Sequence, residues 1–321
     1  MANYKDIKGT TVQVQSGTQP TTYPQATGEL YYNSSNGDYE FLGLGAGTWA
    51  SGGNLNTARD ALGAAGATNS ASIAFGGTTG TEQDITESYD GSSWTEVGDL
   101  NVAKRWGAGI GTSTAALFVG GDADSPYVDT NEKWNGTSWT ESGDISTARQ
   151  GLGGGGTTTS GLVFAGKTTV NVDNTESYDG TSWTEVADLG TARYVVAGAG
   201  ASNTSALVFG GLTRTGKTES WDGSSWTEVS DLNTARDVLA GAGTSTAAVA
   251  FGGSIPANTA IAEIWNGSSW TESGDLATAR RNLYGAGVIG SALATGGYTS
   301  TRVASTEEWT SSHPVKTVTT S

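Results

Sequence analysis

Cysteine is absent from the 321 residues, so neither a disulfide nor a thiolate metal site can be built. The one histidine, His313, lies near the C-terminal end and leaves no imidazole pair for metal or acid–base chemistry. No run approaches the roughly 18 apolar residues of a membrane helix, and the N-terminus lacks the apolar core of a signal peptide. Basic residues are few, 16 against 32 acidic ones, and the net charge of −16 argues against a nucleic-acid footprint or an anionic membrane surface. Proline is scarce at five, glycine abundant at 49, and strong helix signals are missing, which leaves an acidic, almost all-β chain.

What is present is a repeat. Trp49, Trp94, Trp139, Trp183, Trp226 and Trp270 recur every 43 to 45 residues. Five residues before each of the last five stands an aromatic (Tyr89, Trp134, Tyr178, Trp221, Trp265), and Trp309 supplies a sixth. Each unit closes on a basic residue: Arg59, Lys104, Arg149, Arg193, Arg236 or Arg280. A β-rich period in the forties predicts a propeller with four strands per blade. The first strand is rich in small residues, with glycine seven positions after each basic residue, as inner strands converging on one axis require. The second is apolar and ends in glycines, the third carries Glu and the aromatic, and the fourth holds the tryptophan. The Asp-Gly and Asn-Gly steps between the last two predict hairpin turns with positive φ. The repeated tryptophans are expected to join blade to blade, each burying about 150–250 Å².

The chain opens with a lone fourth strand near residues 47–53 and ends on a lone third strand around Trp309. Six blades therefore follow, the last completed by the N-terminal strand, so that no sheet edge is left bare. The expected organisation is an N-terminal segment over 1–46, a propeller over 47–310 and a tail over 311–321. In the first, Leu30 and Tyr32 face Tyr39 and Phe41 across a Ser/Asn/Gly/Asp turn, which predicts a β-hairpin.

The double glycine, the Tyr/Trp and the following Trp resemble the kelch repeat across residues 47–310; "FAGK" at 164–167 departs from it and suggests a different bend there. The opening "MANYKDIKG", with Tyr4, the "GELYYNSSNGDYEFLG" stretch and the "SWTE…DLNTAR" wording resemble kelch-type virion proteins of tailed bacteriophages. That resemblance implies a structural virion component, a tail fibre, tail-tip or capsid appendage, assembled in the host cytoplasm and without cofactor. Its N-terminal segment would attach to other virion proteins through Tyr4, Leu30, Tyr32, Tyr39 and Phe41. Its propeller would be displayed for host-surface, glycan-type recognition, as an adhesin. The rival role is purely architectural decoration of the particle, and a carbohydrate-active enzyme is a more distant alternative. A homo-oligomer is compatible, but no residue pattern demands threefold symmetry.

Enzyme chemistry finds little footing. The copper oxidases that share the kelch fold need a cysteine-linked tyrosine and two histidines, which this chain cannot supply. "SYDGSSW" is close to the Asp-box of sialidases but one residue shorter, and the arginines recur once per blade rather than forming one asymmetric cluster. Their expected partners are the third-strand carboxylates Glu87, Glu132, Glu176, Glu219, Glu263 and Glu307. Sixteen of the 32 acidic residues occupy repeated positions, so the acidity is a blade feature multiplied; no copy has the closely spaced oxygen ligands of a calcium loop, and no metal is expected.

Specialised function is expected where the blades disagree. They differ most in the loop between the second and third strands and in the residue after the basic one: Asp60, Arg105, Gln150, Tyr194, Asp237 and Arg281. Strand alternation puts both at one end of the ring, around the mouth of the axial channel. Trp106, beside Arg105, is outside the repeat register and suits stacking on a sugar or plugging the channel. Tyr127, Arg214, Tyr298 and Arg302 join this surface as loop candidates.

Overall fold

The computed structural model describes residues 46–311 except Ser125, together with the backbone strands Gln13–Gln15, Leu30–Asn33, Asp38–Leu42 and Val315–Thr317. It forms two compact units, one of Met1–Gly47 with Ser311–Ser321 and one of Thr48–Thr310.

The larger unit is a six-bladed β-propeller of four-stranded antiparallel sheets. The first blade runs Gly63–Thr68, Ala71–Phe75, Thr86–Tyr89 and Trp94–Glu96 from the axis outward, and the next four repeat that order. In the sixth, Tyr284–Val288, Ser291–Thr295 and Thr306–Ser311 are completed by Gly47–Ser51, so the ring closes on the N-terminal strand as expected.

The inner strands are small-residue rich because they touch. A Cβ on Gly109 would come within 2.3 Å of the Ala64 carbonyl, and one on Gly285 within 2.4 Å of that of Gly241. The double glycines have a matching cause. The second glycine donates its N–H to the carbonyl of the next blade's basic residue at all six junctions, from Gly77 to Lys104 (2.9 Å) round to Gly297 to Arg59 (3.0 Å). Blade three does not bend differently: Ala165 takes the left-handed φ of 61° that glycine takes elsewhere, and Gly166 still donates to Arg193.

The tryptophans do join the blades. Trp94, Trp139, Trp226 and Trp270 donate Nε1–H to Thr306, Thr86, Thr175 and Thr218 of the preceding blade at 3.0–3.1 Å. In the other two blades the threonine is replaced by Asn131 or Ala262, and the buried Nε1 of Trp183 and Trp49 has no hydrogen-bond partner among the described residues. The Asp-Gly and Asn-Gly steps form hairpins with positive φ, as expected. They are four-residue loops in which only glycine has positive φ, while Asp90 and its equivalents accept two backbone N–H bonds (2.8–2.9 Å to Ser93 and Ser92).

In the smaller unit Leu30–Asn33 and Asp38–Leu42 pair antiparallel with Leu30 opposite Phe41 and Tyr32 opposite Tyr39, the expected hairpin. Gln13–Gln15 adds in parallel on one side and Val315–Thr317 antiparallel on the other, so part of the expected tail is a fourth strand. Tyr4 and His313 lie outside the described residues, as do the side chains of Leu30, Tyr32, Tyr39 and Phe41.

Candidate functional site

The six repeated basic residues are 0–1 % exposed and all pair with the third-strand glutamates. Arg59 reaches Glu87 at 2.5 Å, Arg149 reaches Glu176 at 2.6 Å, Arg193 and Arg236 lie 3.0 and 3.2 Å from Glu219 and Glu263, and Arg280 pairs with Glu307. The same glutamates accept backbone N–H bonds from the strand-to-blade connection ahead of them, as from Asn56, Ser146 and Gly190 at 2.7 Å. These residues hold the blades in place. Lys104 is the exception in length: its Nζ stops 3.7 Å from Glu132 and donates instead to Phe118 O, Thr130 O and Thr130 Oγ1 at 3.1 Å. Burial pulls its pKa down to about 8, against the opposing pull of Glu132.

The varying residues meet at one end, as strand alternation predicts. Asp60, Arg105, Gln150, Tyr194, Asp237 and Arg281 form backbone bridges with Thr78, Asp122, Lys167, Leu212, Ser254 and Tyr298, which start the variable loops. One residue further on, Ala61, Trp106, Gly151, Val195, Val238 and Asn282 all have left-handed φ, between 49° and 65°. Five of these are not glycine, a conformation that costs roughly 1–3 kcal/mol each unless the surroundings impose it. Blade-to-blade bonds across five of the six junctions of this circle support it here: Ala61 N–H donates to Asn282, Trp106 to Ala61, Gly151 to Trp106, Val195 to Gly151 and Asn282 to Val238, at 2.7–3.0 Å. No sequence pattern among these six residue types announced that circle.

The circle frames the axial cavity, about 80 Å³. That is small beside the roughly 300–1,000 Å³ of small-molecule pockets, so a saccharide would rest on the mouth rather than enter. Tyr284, which the sequence reading passed over, narrows the channel below. It replaces the Gly or Ala of other blades, and its hydroxyl oxygen accepts Gly109 N–H from two blades away at 3.0 Å. Burial raises its pKa.

Much of the variation round the mouth has a structural cause. The loop of each blade clasps the varying residue of the next. Arg302 meets Asp60 at 2.8 Å, Glu82 meets Arg105 at 3.2 Å, Arg214 lies 3.7 Å from Asp237, and Asn258 accepts from Arg281 at 3.3 Å. Lys167 sits 5.0 Å over the Tyr194 ring of the next blade, and Arg281 also stacks on Tyr298 of its own blade at 5.1 Å. Arg105 also pairs with Asp122 at 3.0 Å, and burial pushes the Asp237 carboxyl up. The neighbours vary together: opposite charges meet at three junctions, and a cation meets an amide or a ring at the other two.

Among the described residues only the junction between blades two and three lacks this clasp. There the second and third strands are eight residues each, Ala115–Asp122 and Tyr127–Trp134, and Tyr127 pairs with Asp122 on its own blade where other blades reach across. The Gln150 amide therefore makes no hydrogen bond among the described residues. Next to it stands Lys167, which forms no ion pair among them. Trp106 is half-buried, lines the cavity and gives its Nε1 to no described group. The Tyr194 ring packs across Gly151, whose Cβ, if present, would lie 3.0 Å from Tyr194 Cδ2. Trp106, Gln150, Lys167 and Tyr194 thus gather on one sector; Asp60, Asp237 and Arg281 lie elsewhere on the ring and are engaged by clasps. Among the described residues no group of three or more His, Cys, Asp or Glu is placed to hold a metal ion.

The chain matches no protein-family model, and a search of curated proteins finds no match for it.

Proposed function

We propose that this protein is a non-enzymatic structural component of a bacteriophage particle that displays its propeller for recognition of a host-surface saccharide. The observation that supports the binding role is the sector at the mouth beside the unclasped junction, where Trp106 and Tyr194 stand on either side of Gly151, the Gln150 amide makes no hydrogen bond among the described residues and the Lys167 ammonium, held over the Tyr194 ring, meets no carboxylate among them. Aromatic faces stack on sugar rings while amides and ammonium groups meet hydroxyls and anions. The virion assignment rests on the resemblance of the N-terminal wording and repeats to kelch-type phage proteins, with the four-stranded sheet of the smaller unit as the attachment element to other particle proteins. A purely architectural role is the rival, favoured by the clasps at five of the six junctions and by the narrow channel.

Binding of the full-length protein to a glycan array and to bacterial envelopes tests the reading. Saturable binding that Trp106→Ala abolishes, with the melting temperature kept, is expected. Ala61 already occupies the equivalent left-handed position in blade one, so alanine is accommodated at 106. A folded protein that binds neither array nor envelopes would leave the architectural role.

A further inference from the structure

The distribution of positive charge sharpens which saccharides the mouth would take. Outside the six buried pairs, the described propeller residues contain seven basic side chains: Arg105, Lys133, Lys167, Arg214, Lys217, Arg281 and Arg302. Five of them, all but Lys133 and Lys217, belong to the varying positions and loops of the mouth. The outer edges show the opposite sign, with Glu96, Glu141, Glu185, Glu228 and Glu272 all exposed. In a chain of net charge −16 the described propeller thus gathers five of its seven surface cations at one end.

Most of these cations are neutralised locally. Arg105, Arg214 and Arg302 face carboxylates, and Arg281 is held by Asn258 and the Tyr298 ring. Lys167 has no carboxylate within ion-pair distance among the described residues, and its ammonium is held over the Tyr194 ring, 5.0 Å from the centroid. It borders the unclasped junction, bridged by backbone to Gln150, whose neighbour Gly151 is the one glycine in the left-handed circle and is covered by the Tyr194 ring. Cation and aromatic platforms are therefore presented together, with the surrounding acidity working against any anion that lacks them.

We infer that this sector, Trp106, Gln150, Gly151, Lys167 and Tyr194, is a subsite for an acidic sugar, a pyranose whose carboxylate is met by Lys167 while its ring rests against the aromatics. The inference rests on the saccharide reading proposed above and narrows it. Gln150 supplies an amide donor and an acceptor for ring hydroxyls, and the Tyr194 ring, packed across Gly151, is held in place beside it. The ammonium–carboxylate contact lies in a half-buried setting, where screening is weaker than at a free surface.

The test uses the full chain on an array of uronic-acid-bearing and sialylated oligosaccharides, each beside its carboxyl-reduced, neutral counterpart. Acidic members should bind about tenfold more tightly than their reduced partners, the equivalent of one well-formed charged contact. Lys167→Gln should erase that preference while leaving residual binding to both, and Trp106→Ala should remove both. Rising salt should weaken only the acidic members. Equal binding of reduced and acidic partners, still dependent on Trp106, would overturn the acidic class and leave the saccharide reading standing. Absence of binding to every member by the folded protein would overturn both.

Discussion

Two layers of charge pairs surround the same axis, and they follow opposite rules. The inner layer repeats one pair six times, fully buried, with glutamate also capping the incoming backbone. The outer layer, at the mouth, uses a different pair at nearly every junction, and its arginines are 31–48 % exposed. Repetition marks the groups that define a blade. Variation at the mouth marks first the order in which blades meet, because each loop must suit its successor, and only then a place for a ligand. Residues that differ between repeats are thus not all functional; the informative one is the junction where the matching lapses.

The largest expected effect lies in the inner layer. Arg149→Met leaves Glu176 buried without its cation and should cost about 3–5 kcal/mol in chemical denaturation. Arg302→Met at the mouth, which removes an exposed partner of Asp60, should cost under about 1 kcal/mol. Equal losses would erase the distinction between the layers.

Lys104 sharpens it further, since its ammonium stops 3.7 Å from Glu132 and burial brings its titration into an accessible range. Its folded pKa of about 8 lies below the unfolded value of 10.5. Between those values the unfolded chain binds the extra proton, so this site's contribution to stability rises with pH across that window. Wild-type stability should gain about 2–3 kcal/mol on Lys104→Arg as pH climbs from 8 to 10.5, followed by denaturant midpoints at matched pH. A flat difference would show that Lys104 does not titrate there.

Smaller effects belong to the tryptophan–threonine joints. Thr86→Ala orphans Trp139 Nε1 and should cost about 1–3 kcal/mol, whereas Ala262→Thr offers Trp49 the partner four other blades already have and should add about 1 kcal/mol. Thermal melts of the two variants check both signs. A destabilised Ala262→Thr would mean that blade five is too tight for the hydroxyl.

Much of this architecture was legible in the chain. Six tryptophans at one spacing, six basic residues and six third-strand glutamates predicted the blade count, the closure and the inner pairs, because those contacts recur in every blade and write themselves as period. The left-handed circle was not legible, since its members are Ala, Trp, Gly, Val, Val and Asn and share a backbone conformation rather than a chemistry. Tyr284 escaped for the related reason that it is a single exception at a small-residue position. The mouth was located correctly from strand alternation, but the clasps were invisible, because which loop faces which residue depends on the neighbouring blade and not on the neighbouring sequence. Ala165 shows the limit of motif spelling: a missing glycine left the bend intact.

The central proposal is that the mouth divides into junctions held by clasps and one sector, beside the unclasped junction, that takes a ligand. The most direct measurement is envelope binding, with melting temperature in parallel, for single alanine variants of Trp106, Gln150, Lys167 and Tyr194 beside Arg214, Arg302 and Asn258. Binding should fall only in the first set, while the second should show at most small losses of stability. Loss of binding spread evenly over both sets, or confined to the clasps, would contradict that division.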